Sequence, residues 1–575
     1  MKNILNVVFA CLVFASCKEP EAVPVKQQNL ARVDQMPDLP RPLQIIDYRQ
    51  LAIRFDSTVY DFNAKGKFWP LVWKDSSNKN FSQMVVGLYT AVGDVRQGPA
   101  NNKGMFHEAL ATMGAVLGAT LVGIDKSNQQ NLDYVGMLKN YFNKETGWNI
   151  MMNNTCPEVA LLGGGYGRDW WYDVYPNLLF YAICDQYPNH PGFSDIARQI
   201  AEKFFKADSI LNGNYDYSYF DYGKMQPMKN KICAQPDAAA GHAWVLYSAY
   251  KKFGDERYLK GAMSALTALQ SQSLNPTYEV LIPFGAYLAA RINAEQEKKY
   301  DINKMLGWTF DGTPICREGW GILTGNWNGT DISGIVGSTV DHGGYGFLMN
   351  TYDAAWPLLP MVRYDQSYAN AIGKWMLNAA NAARFFYPEY MPDDHETVPQ
   401  LAAVTKGVIA YEGMARKSTH QENENLPGPV AQGDGPLWVP GKNPPESQFS
   451  VYGSAHVGIF GSIIRATDVP GVLQLNLLAT DFYHDKAWPT YLYYNPYAEN
   501  KSVSISIETG KNTDLYNTVT GQFIARNISS SAQIKLTPKN AAVIVCLPAG
   551  GKVTYSGEKM LVDGIVADYM FQGKK

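Results

Sequence analysis

The sequence predicts a mainly α-helical domain followed by a small antiparallel β domain, and two periodicities indicate this order. From about residue 80 to residue 465, apolar residues recur every three or four positions, as in Phe106, Leu110, Met113, Leu117 and Leu121. After Pro470 the period changes to two, and residues 502–507 alternate strictly between serine and an aliphatic residue. We therefore assign residues 46–468 to the helical domain and residues 469–575 to a C-terminal β-sandwich domain.

About ten to twelve helices are expected in the first domain, joined in pairs by short turns that contain Gly, Pro or Asn. In the second domain, strands are also expected at 532–536 and 541–547, separated by turn sequences. Before that domain, residues 417–449 are rich in proline, and a loop of this length is either functional or mobile. Further segments with helical spacing are 130–143, 196–211, 236–252, 256–270, 278–294, 346–359, 368–386, 403–415 and 452–465.

The chain begins with a pattern that is typical of a secretory signal peptide. In residues 1–17, Lys2 precedes the apolar run 4–15, which is too short to span a bilayer as a mature helix. Residues 14–17, FASC, resemble a bacterial lipobox, apart from Phe at a position that usually holds Leu. This resemblance implies that the signal is removed and that Cys17 is lipidated.

The segment after the cysteine bears on where the protein is displayed. Residues 18–21, KEPE, resemble the lysine-plus-acid signal with which Bacteroidota lipoproteins reach the outer face of the outer membrane. Residues 18–45 place several prolines among polar residues and are expected to form a tether that does not fold alone. We expect an envelope protein anchored by lipid to the outer membrane and facing the cell exterior. An ordinary secreted protein with an incidental cysteine is the alternative.

Charge and cysteine content exclude several classes of protein. The 575 residues carry 50 basic and 53 acidic side chains, a net charge of -3, without the basic surface that nucleic-acid binding requires. Of seven cysteines, the five that would remain after loss of Cys11 and acylation of Cys17 are scattered and odd in number. We therefore expect at least one free thiol and neither a disulfide framework nor a zinc site. No motif indicates a cofactor or a bound metal.

A glycine-rich turn at residues 163–167 introduces the first candidate site. Its glycines match neither the phosphate loop nor the dinucleotide fingerprint, and an acid follows where an anion would bind. We interpret the turn as one that brings Asp169 to the start of a helix. Alternatively, Asp169 only caps the helix and the residues after it continue it. The accompanying polar and aromatic candidates are Arg168, Trp170, Trp171 and Asp173.

Two later segments supply the acids with which Asp169 could form a pair. In 337–346, GSTVDHGGYG, glycines surround Asp341, His342 and Tyr345, which exceeds what a turn requires. The alternative is a buried histidine that caps the following helix. In the segment REGWG, Glu318 is the next candidate, and its alternative is a structural acid paired with Arg317. The aromatic and amide residues near Glu318 are Trp320, Asn326 and Trp327.

Other polar residues are more often structural. Residues 393–396, DDHE, could hold a metal, but consecutive residues rarely point inward together, so a solvated loop is favoured. His107, His242 and His456 lie at helical spacing and are expected to be satisfied core residues, although His456 has unusually small neighbours.

The order of about six helical hairpins followed by a β tail resembles the (α/α)6 toroid superfamily of six-hairpin glycosidases and related polysaccharide lyases. The resemblance covers roughly residues 60–570 as architecture. The motifs GYGRDWWYD, REGWGILTGNWNG, DHGGYG and YLYYNPY resemble those of members from carbohydrate-degrading bacteria. The resemblance implies a site in the mouth of the helical ring, with a carboxylate pair or a Tyr or His base, acting on a polysaccharide or oligosaccharide.

The first functional hypothesis is a glycoside hydrolase. Asp169 or Glu318 would protonate the glycosidic oxygen, and Asp341 would activate water on the opposite face of the sugar. Arg168 could bind a substrate carboxylate, which indicates a uronic acid. The residues expected to contact sugar rings are Trp170, Trp171, Trp320 and Tyr345.

Two other hypotheses remain open from the sequence. A polysaccharide lyase would use Tyr345 or His342 to remove the proton next to a uronate carboxylate, which Arg168 and Asn326 would neutralise. A lipoprotein that captures glycans without cleaving them would also fit the ends of the chain. The terminal β domain and the absence of a 34-residue helical repeat argue against this last hypothesis.

Overall fold

The structure is a computed structural model that describes residues 23–66, 69, 71–75, 87–90, 108–144, 146–153, 169–396, 399–417, 426–432, 450–507 and 511–573. Its α-helices are α1 (Ala31–Asp34), α2 (Tyr48–Val59), α3 (Ala109–Leu121), α4 (Tyr134–Met137), α5 (Trp170–Gln186), α6 (Phe193–Leu211), α7 (Ala238–Phe253), α8 (Glu256–Ser271), α9 (Ile282–Gln296), α10 (Ile302–Asp311), α11 (Leu348–Tyr364), α12 (Ala369–Ala382), α13 (Leu401–Thr405) and α14 (Val457–Ile463).

Short strands lie within the helical region, and longer ones follow it. The strands are β1 (Val72–Asp75), β2 (Gly87–Thr90), β3 (Tyr219–Asp221), β4 (Gln226–Met228), β5 (Trp320–Ile322), β6 (Asn326–Trp327), β7 (Thr330–Asp331), β8 (Val336–Ser338), β9 (Tyr345–Phe347), β10 (Gly413–Lys417), β11 (Pro427–Gln432), β12 (Ile464–Ala466), β13 (Leu473–Asn476), β14 (Thr490–Tyr494), β15 (Lys501–Ser506), β16 (Thr513–Asn517), β17 (Gln522–Ile528), β18 (Ser531–Leu536), β19 (Ala541–Pro548), β20 (Val553–Ser556), β21 (Lys559–Val562) and β22 (Ile565–Asp568).

Six strongly buried helices contact one another in a closed order within the described chain. Helix α3 packs on α5, α5 on α7, α7 on α9, α9 on α11, α11 on α14, and α14 returns to α3. Helices α2, α6, α8, α10 and α12 pack outside them, each against at least one member of the inner set. The inner helices are apolar on all sides, and the outer helices are amphipathic, which is the pattern expected for two concentric layers.

The C-terminal region is a β structure with two packed layers. Six strands form one sheet in the order β12-β13-β14-β19-β16-β17, and the two-stranded antiparallel sheet β15-β18 covers part of it. Val503 and Ile505 of β15 point into the core between these layers, while the serines of the strand are exposed, as the alternation predicted. The predicted order of a mainly helical region followed by a β region is therefore confirmed.

The structure corrects the predicted tether. Residues 23–45, the described part of the segment 18–45, pack along the molecule, because the Val25 amide donates to the Val519 carbonyl at 2.8 Å and the side chains of Leu30 and Val33 are buried. This segment thus contacts the helical and the β regions. The boundary at 468/469 also shifts, since β12 already belongs to the C-terminal sheet.

Two further expectations were wrong. A five-stranded sheet, β11-β10-β9-β8-β5, occurs within the region predicted to be helical, and the predicted helix 403–415 is the short α13 followed by β10. Cys233 and Cys316 form one disulfide, where the sequence indicated no disulfide framework. In the described residues, Cys184 and Cys546 are free thiols.

No helix among the described residues has the length and apolar character needed to cross a membrane.

Candidate active site

The amino-terminal ends of the inner helices meet at one end of the ring. Asp169, the N-cap of α5, is hydrogen-bonded to Tyr278, which precedes α9, and His456, the N-cap of α14, is bonded to Asp353 of α11. Helix amino termini carry partial positive charge and therefore favour acidic neighbours. The polar side chains at or near these helix starts are Glu108, Asp169, Asp237, Glu279, Asn350, Asp353 and His456.

Asp169 is a buried acid that holds a proton at neutral pH. Its side chain is 1% exposed, its Oδ1 accepts the Tyr172 amide at 3.4 Å, and the hydroxyl of Tyr278 donates to its Oδ2 at 3.1 Å. Burial, together with the negative charge of Glu279, raises the pKa of Asp169 to about 8. The hydrogen bond from the Tyr172 amide shows that Asp169 caps the helix, as the alternative interpretation held. Capping alone does not require that the pKa of the carboxyl group be raised.

Glu279 is the second acid of this cluster, and its contacts come from two other segments. Arg317 forms an ion pair with Glu279, and the amide of Asn350 donates a hydrogen bond to the same carboxyl group. Burial raises the pKa of Glu279, although Arg317 and Asn350 oppose that shift. The Glu279 side chain is 12% exposed and that of Arg317 is 26% exposed, so this pair is less deeply buried than Asp169.

Asp237 completes the group of buried acids. Its Oδ2 accepts the backbone amide of Tyr278 at 2.9 Å, so Tyr278 is bonded to Asp237 through its backbone and to Asp169 through its hydroxyl. Burial is the main cause that raises the pKa of Asp237 to about 7, and the charge of Glu279 adds to it. Three carboxyl groups from three different loops therefore surround one tyrosine.

The predicted acid Asp341 and its neighbour Tyr345 lie beside this cluster. The negative charge of Asp341 is among the causes that raise the pKa of Arg317, and so is Tyr345. Asp341 is exposed, its backbone amide donates to Ser338 Oγ at 3.0 Å, and Tyr345 is half-buried in β9. The chain thus brings the predicted Asp169, Asp341 and Tyr345 to one end of the ring, around Arg317.

The structure does not bring Glu318 into the group of buried acids. It is exposed, and the acid that pairs with Arg317 is Glu279. Asn326 is exposed in the β6–β7 hairpin, where its Oδ1 accepts the Gly329 amide, so its amide has a structural role in the turn. Arg168, Cys17, His107 and the side chain of His342 lie outside the described residues.

The predicted tryptophan platforms are core residues. Trp170 is fully buried and its Nε1 donates to the Tyr222 hydroxyl at 3.3 Å, while Trp171 is 2% exposed and stacks on Tyr175 with ring centroids 4.3 Å apart. Trp320 is fully buried beneath the Arg317 guanidinium, 3.5 Å from the ring centroid. Trp327 and Asp173 are also buried. Rings covered in this way do not offer a face to a sugar, so the stacking predicted for these tryptophans was wrong.

A buried histidine and aspartate lie within the inner ring next to the acids. His456 Nδ1 lies 2.5 Å from Asp353 Oδ1, and His456 Nε2 donates to the Leu110 carbonyl at 2.9 Å. Both ring nitrogens face acceptors, so this pair holds an extra proton, and the pKa of His456 is raised by Asp353 against the opposing effect of burial. The expectation of a satisfied core histidine holds for His456. His242 is also buried, and its Nε2 is 2.8 Å from the Tyr222 hydroxyl, but its Nδ1 has no hydrogen-bond partner among the described residues.

The sequence analysis did not single out Glu279, Asp237 or Tyr278. The sequence did carry a signal for the two acids: Asp237 and Glu279 lie near the starts of predicted helices, as Asp169 does. Residues 393–396 lie in a 3₁₀ turn, where the His395 ring contacts the Pro429 carbonyl. Within the described residues, no three His, Cys, Asp or Glu side chains are grouped closely enough to hold a metal ion.

Comparisons with known proteins give only distant likenesses. No family model matches the chain, and no curated protein matches it. Among solved structures, a GH127 β-L-arabinofuranosidase from Geobacillus stearothermophilus T6 is 10% identical with a TM-score of 0.33, covering 91% of this chain and 86% of that one. A family 76 glycoside hydrolase from a bovine Bacteroides thetaiotaomicron strain is 10% identical with a TM-score of 0.34, covering 72% and 77%. An endoglucanase from Clostridium thermocellum is 12% identical with a TM-score of 0.33, covering 91% and 96%. These structures are glycoside hydrolases, but likenesses this distant leave the function to be argued from the site.

Proposed function

We propose that this chain is a glycoside hydrolase that cleaves a polysaccharide or oligosaccharide, built as an (α/α)6 toroid with a C-terminal β-sandwich. The closed order of contacts among the inner helices supports the toroid. One observation carries the proposed reaction: Asp169 is a buried carboxylic acid with a pKa of about 8, at the end of the ring where further acids converge.

In the proposed reaction, Asp169 is the general acid. A glycosidic oxygen leaves readily only when it receives a proton, and a carboxyl group with a raised pKa still carries that proton at neutral pH. Glu279 contributes by its negative charge, which helps to hold the proton on Asp169, while Arg317 and Asn350 position Glu279.

Asp341 is the proposed general base. It is exposed and its charge acts on Arg317, so it can contact a water molecule directly. The base takes one proton from this water, and the water oxygen bonds to the anomeric carbon as the bond from that carbon to the glycosidic oxygen breaks. Asp169 gives its proton to the departing glycosidic oxygen. Tyr345, half-buried nearby, is the remaining predicted ring that could contact the sugar.

The test is a screen of the purified mature protein against neutral and uronic-acid-containing polysaccharides, following reducing ends and ultraviolet absorbance together. We expect new reducing ends without unsaturated products, and Asp169→Asn should lower kcat/KM by about 10²–10⁴-fold. Asp568→Asn is the matched control, because Asp568 is also a buried acid with a raised pKa, about 6, but lies in the β region. Unsaturated products would indicate a lyase instead, and binding without turnover would indicate a glycan-capture protein.

We also propose that Cys17 anchors the protein by lipid to the outer membrane, facing the exterior. The support is the signal pattern of residues 1–17 and the KEPE segment that follows. Labelling of cells with a radioactive fatty acid should mark the wild-type protein and not Cys17→Ala, and protease added to intact cells should digest the wild type. Absence of label in the wild type would contradict the anchor.

A further inference from the structure

A cavity of about 660 Å³ lies in the β region, away from the acids at the helix starts. It opens between the six-stranded sheet, at β14, β16 and β19, and the ends of β15 and β17. Its polar and aromatic lining includes Trp488, Tyr491, Lys511, Asn512, Asn527 and Cys546. A volume of this size falls within the range of small-ligand sites in proteins.

The lining combines apolar rings with hydrogen-bonding groups. Trp488 and Tyr491 are partly exposed, and the buried indole N–H of Trp488 has no hydrogen-bond partner in the part of the chain that the structure describes. A buried donor without a partner is unfavourable, so Trp488 supplies a hydrogen-bond donor at the cavity that the described residues leave unused. The Asn512 amide donates to Asn527 Oδ1 at 2.7 Å, and within the described residues this bond engages one polar end of each amide group.

We propose that this cavity is a binding site for a short saccharide, separate from the catalytic centre. A sugar ring has an apolar face that fits an aromatic side chain and an edge of hydroxyl groups that fits amide and ammonium groups. A purely aliphatic ligand would contact the apolar walls but would also cover the amide groups of Asn512 and Asn527. This inference does not depend on the proposed hydrolase activity, because no residue of the cavity belongs to that site.

The free thiol of Cys546 lies in the cavity wall and provides a local probe. Burial raises the pKa of Cys546 to about 11, so its labelling by maleimide is slow and easily followed by peptide mass spectrometry. We expect oligosaccharides from a neutral and acidic panel to slow the labelling of Cys546 and to give a binding heat by calorimetry. Cys184, which is fully buried, should show no ligand-dependent change.

Variants assign the effect to the cavity. Trp488→Ala should weaken binding about tenfold. Asn512→Ala should weaken it about fivefold, and because Asn512 is exposed to solvent, this variant should fold normally. Tyr555→Ala is the control, because Tyr555 is an exposed aromatic residue of β20 outside the cavity and should leave binding unchanged.

The proposal would be overturned if no oligosaccharide of the panel protected Cys546 or gave a heat. It would also be overturned if Trp488→Ala and Asn512→Ala, both folded by circular dichroism, bound as tightly as the wild type. Protection by a fatty acid and by no saccharide would show an apolar site instead. Loss of hydrolysis in the same variants is not expected, so this test can fail or succeed independently of the proposed function.

Discussion

The two ends of the helical ring contain different kinds of buried ionisable groups. At the end where the inner helices begin, the carboxyl groups of Asp169, Asp237 and Glu279 crowd together, and their pKa values are raised. At the other end, Asp481 accepts hydrogen bonds from Tyr287 and from Arg363, both at 2.6 Å.

The paired end is also closed by backbone contacts. Arg291 pairs with Glu295 at 2.9 Å and donates to the carbonyl oxygens of Phe482 and Tyr483, so the loop that carries Asp481 is fixed across the ends of α9 and α11. Loss of one partner of a buried ion pair leaves the other charge uncompensated, so breaking such a pair is strongly destabilising. Crowded acids that retain protons are instead typical of catalytic sites. This difference agrees with the proposal that one end contributes stability and the other carries the reaction.

The largest effect should come from breaking the paired end. Asp481→Asn leaves the guanidinium group of Arg363 buried without its counter-charge, while Arg291 keeps its ion pair with Glu295. We expect the free energy of unfolding to fall by about 3–5 kcal/mol in urea titrations. The control is Asp485→Asn, whose ion pair with Lys251 is exposed at the aspartate, and it should change stability by about 0.5 kcal/mol or less. Equal losses in the two variants would contradict the structural role of Asp481.

At the acid end, the prediction concerns the pH dependence of stability. The pKa of Asp169 is about 8 in the folded protein and near 4 in the unfolded chain, so the stability from its proton is complete below pH 4 and is lost as the pH rises toward 8. In the wild type, this proton makes the free energy of unfolding fall by about 1.4 kcal/mol per pH unit between pH 5 and pH 8. Asp169→Asn should abolish this part of the fall.

Chemical denaturation at several pH values measures this slope. The control is Asp133→Asn, because His190 and the Gly136 amide lower the pKa of Asp133, and its contribution is present above the ordinary value and lost as the pH falls. Asp133→Asn should therefore change the dependence of unfolding free energy on pH only on the acidic side. An unchanged slope in Asp169→Asn would argue against a buried proton on Asp169.

The disulfide next to Arg317 should stabilise the acid end. Cys233→Ser combined with Cys316→Ser removes a link between segments 83 residues apart, and we expect a loss of about 2–4 kcal/mol in unfolding free energy. Reductant should produce a similar loss in the wild type and no further loss in the double variant. If reductant leaves the wild type unchanged, the link does not contribute to stability.

A smaller effect is expected where His456 packs against α3. A Cβ added at Gly114 would lie 1.9 Å from His456 Nε2, so Gly114→Ala should cost about 1–3 kcal/mol in thermal unfolding. Gly307→Ala, in α10 with open space around it, is the matched control and should stabilise the protein by about 0.5–1 kcal/mol. A neutral Gly114→Ala would show that the Asp353–His456 pair is free to move.

Much of the secondary structure could be predicted from periodicity. The segments 236–252 and 256–270 correspond closely to Ala238–Phe253 and Glu256–Ser271, because an inner or outer helix needs an apolar face of helical spacing. The five-stranded sheet could not be predicted, since three of its strands have only three residues, too few to show a period. The Cys233–Cys316 pairing was also beyond reach, because cysteine positions do not define connectivity.

For the candidate site, the sequence by itself determined that Asp169 stands at a helix start among unusual neighbours, since N-cap preference is a local property of a few residues. Only the tertiary structure decided that Glu279, Arg317 and Asp237 surround it and that tryptophans beside it are buried. The physical reason is that the pKa of a carboxyl group depends on burial and on nearby charges, and here both come from segments distant in sequence.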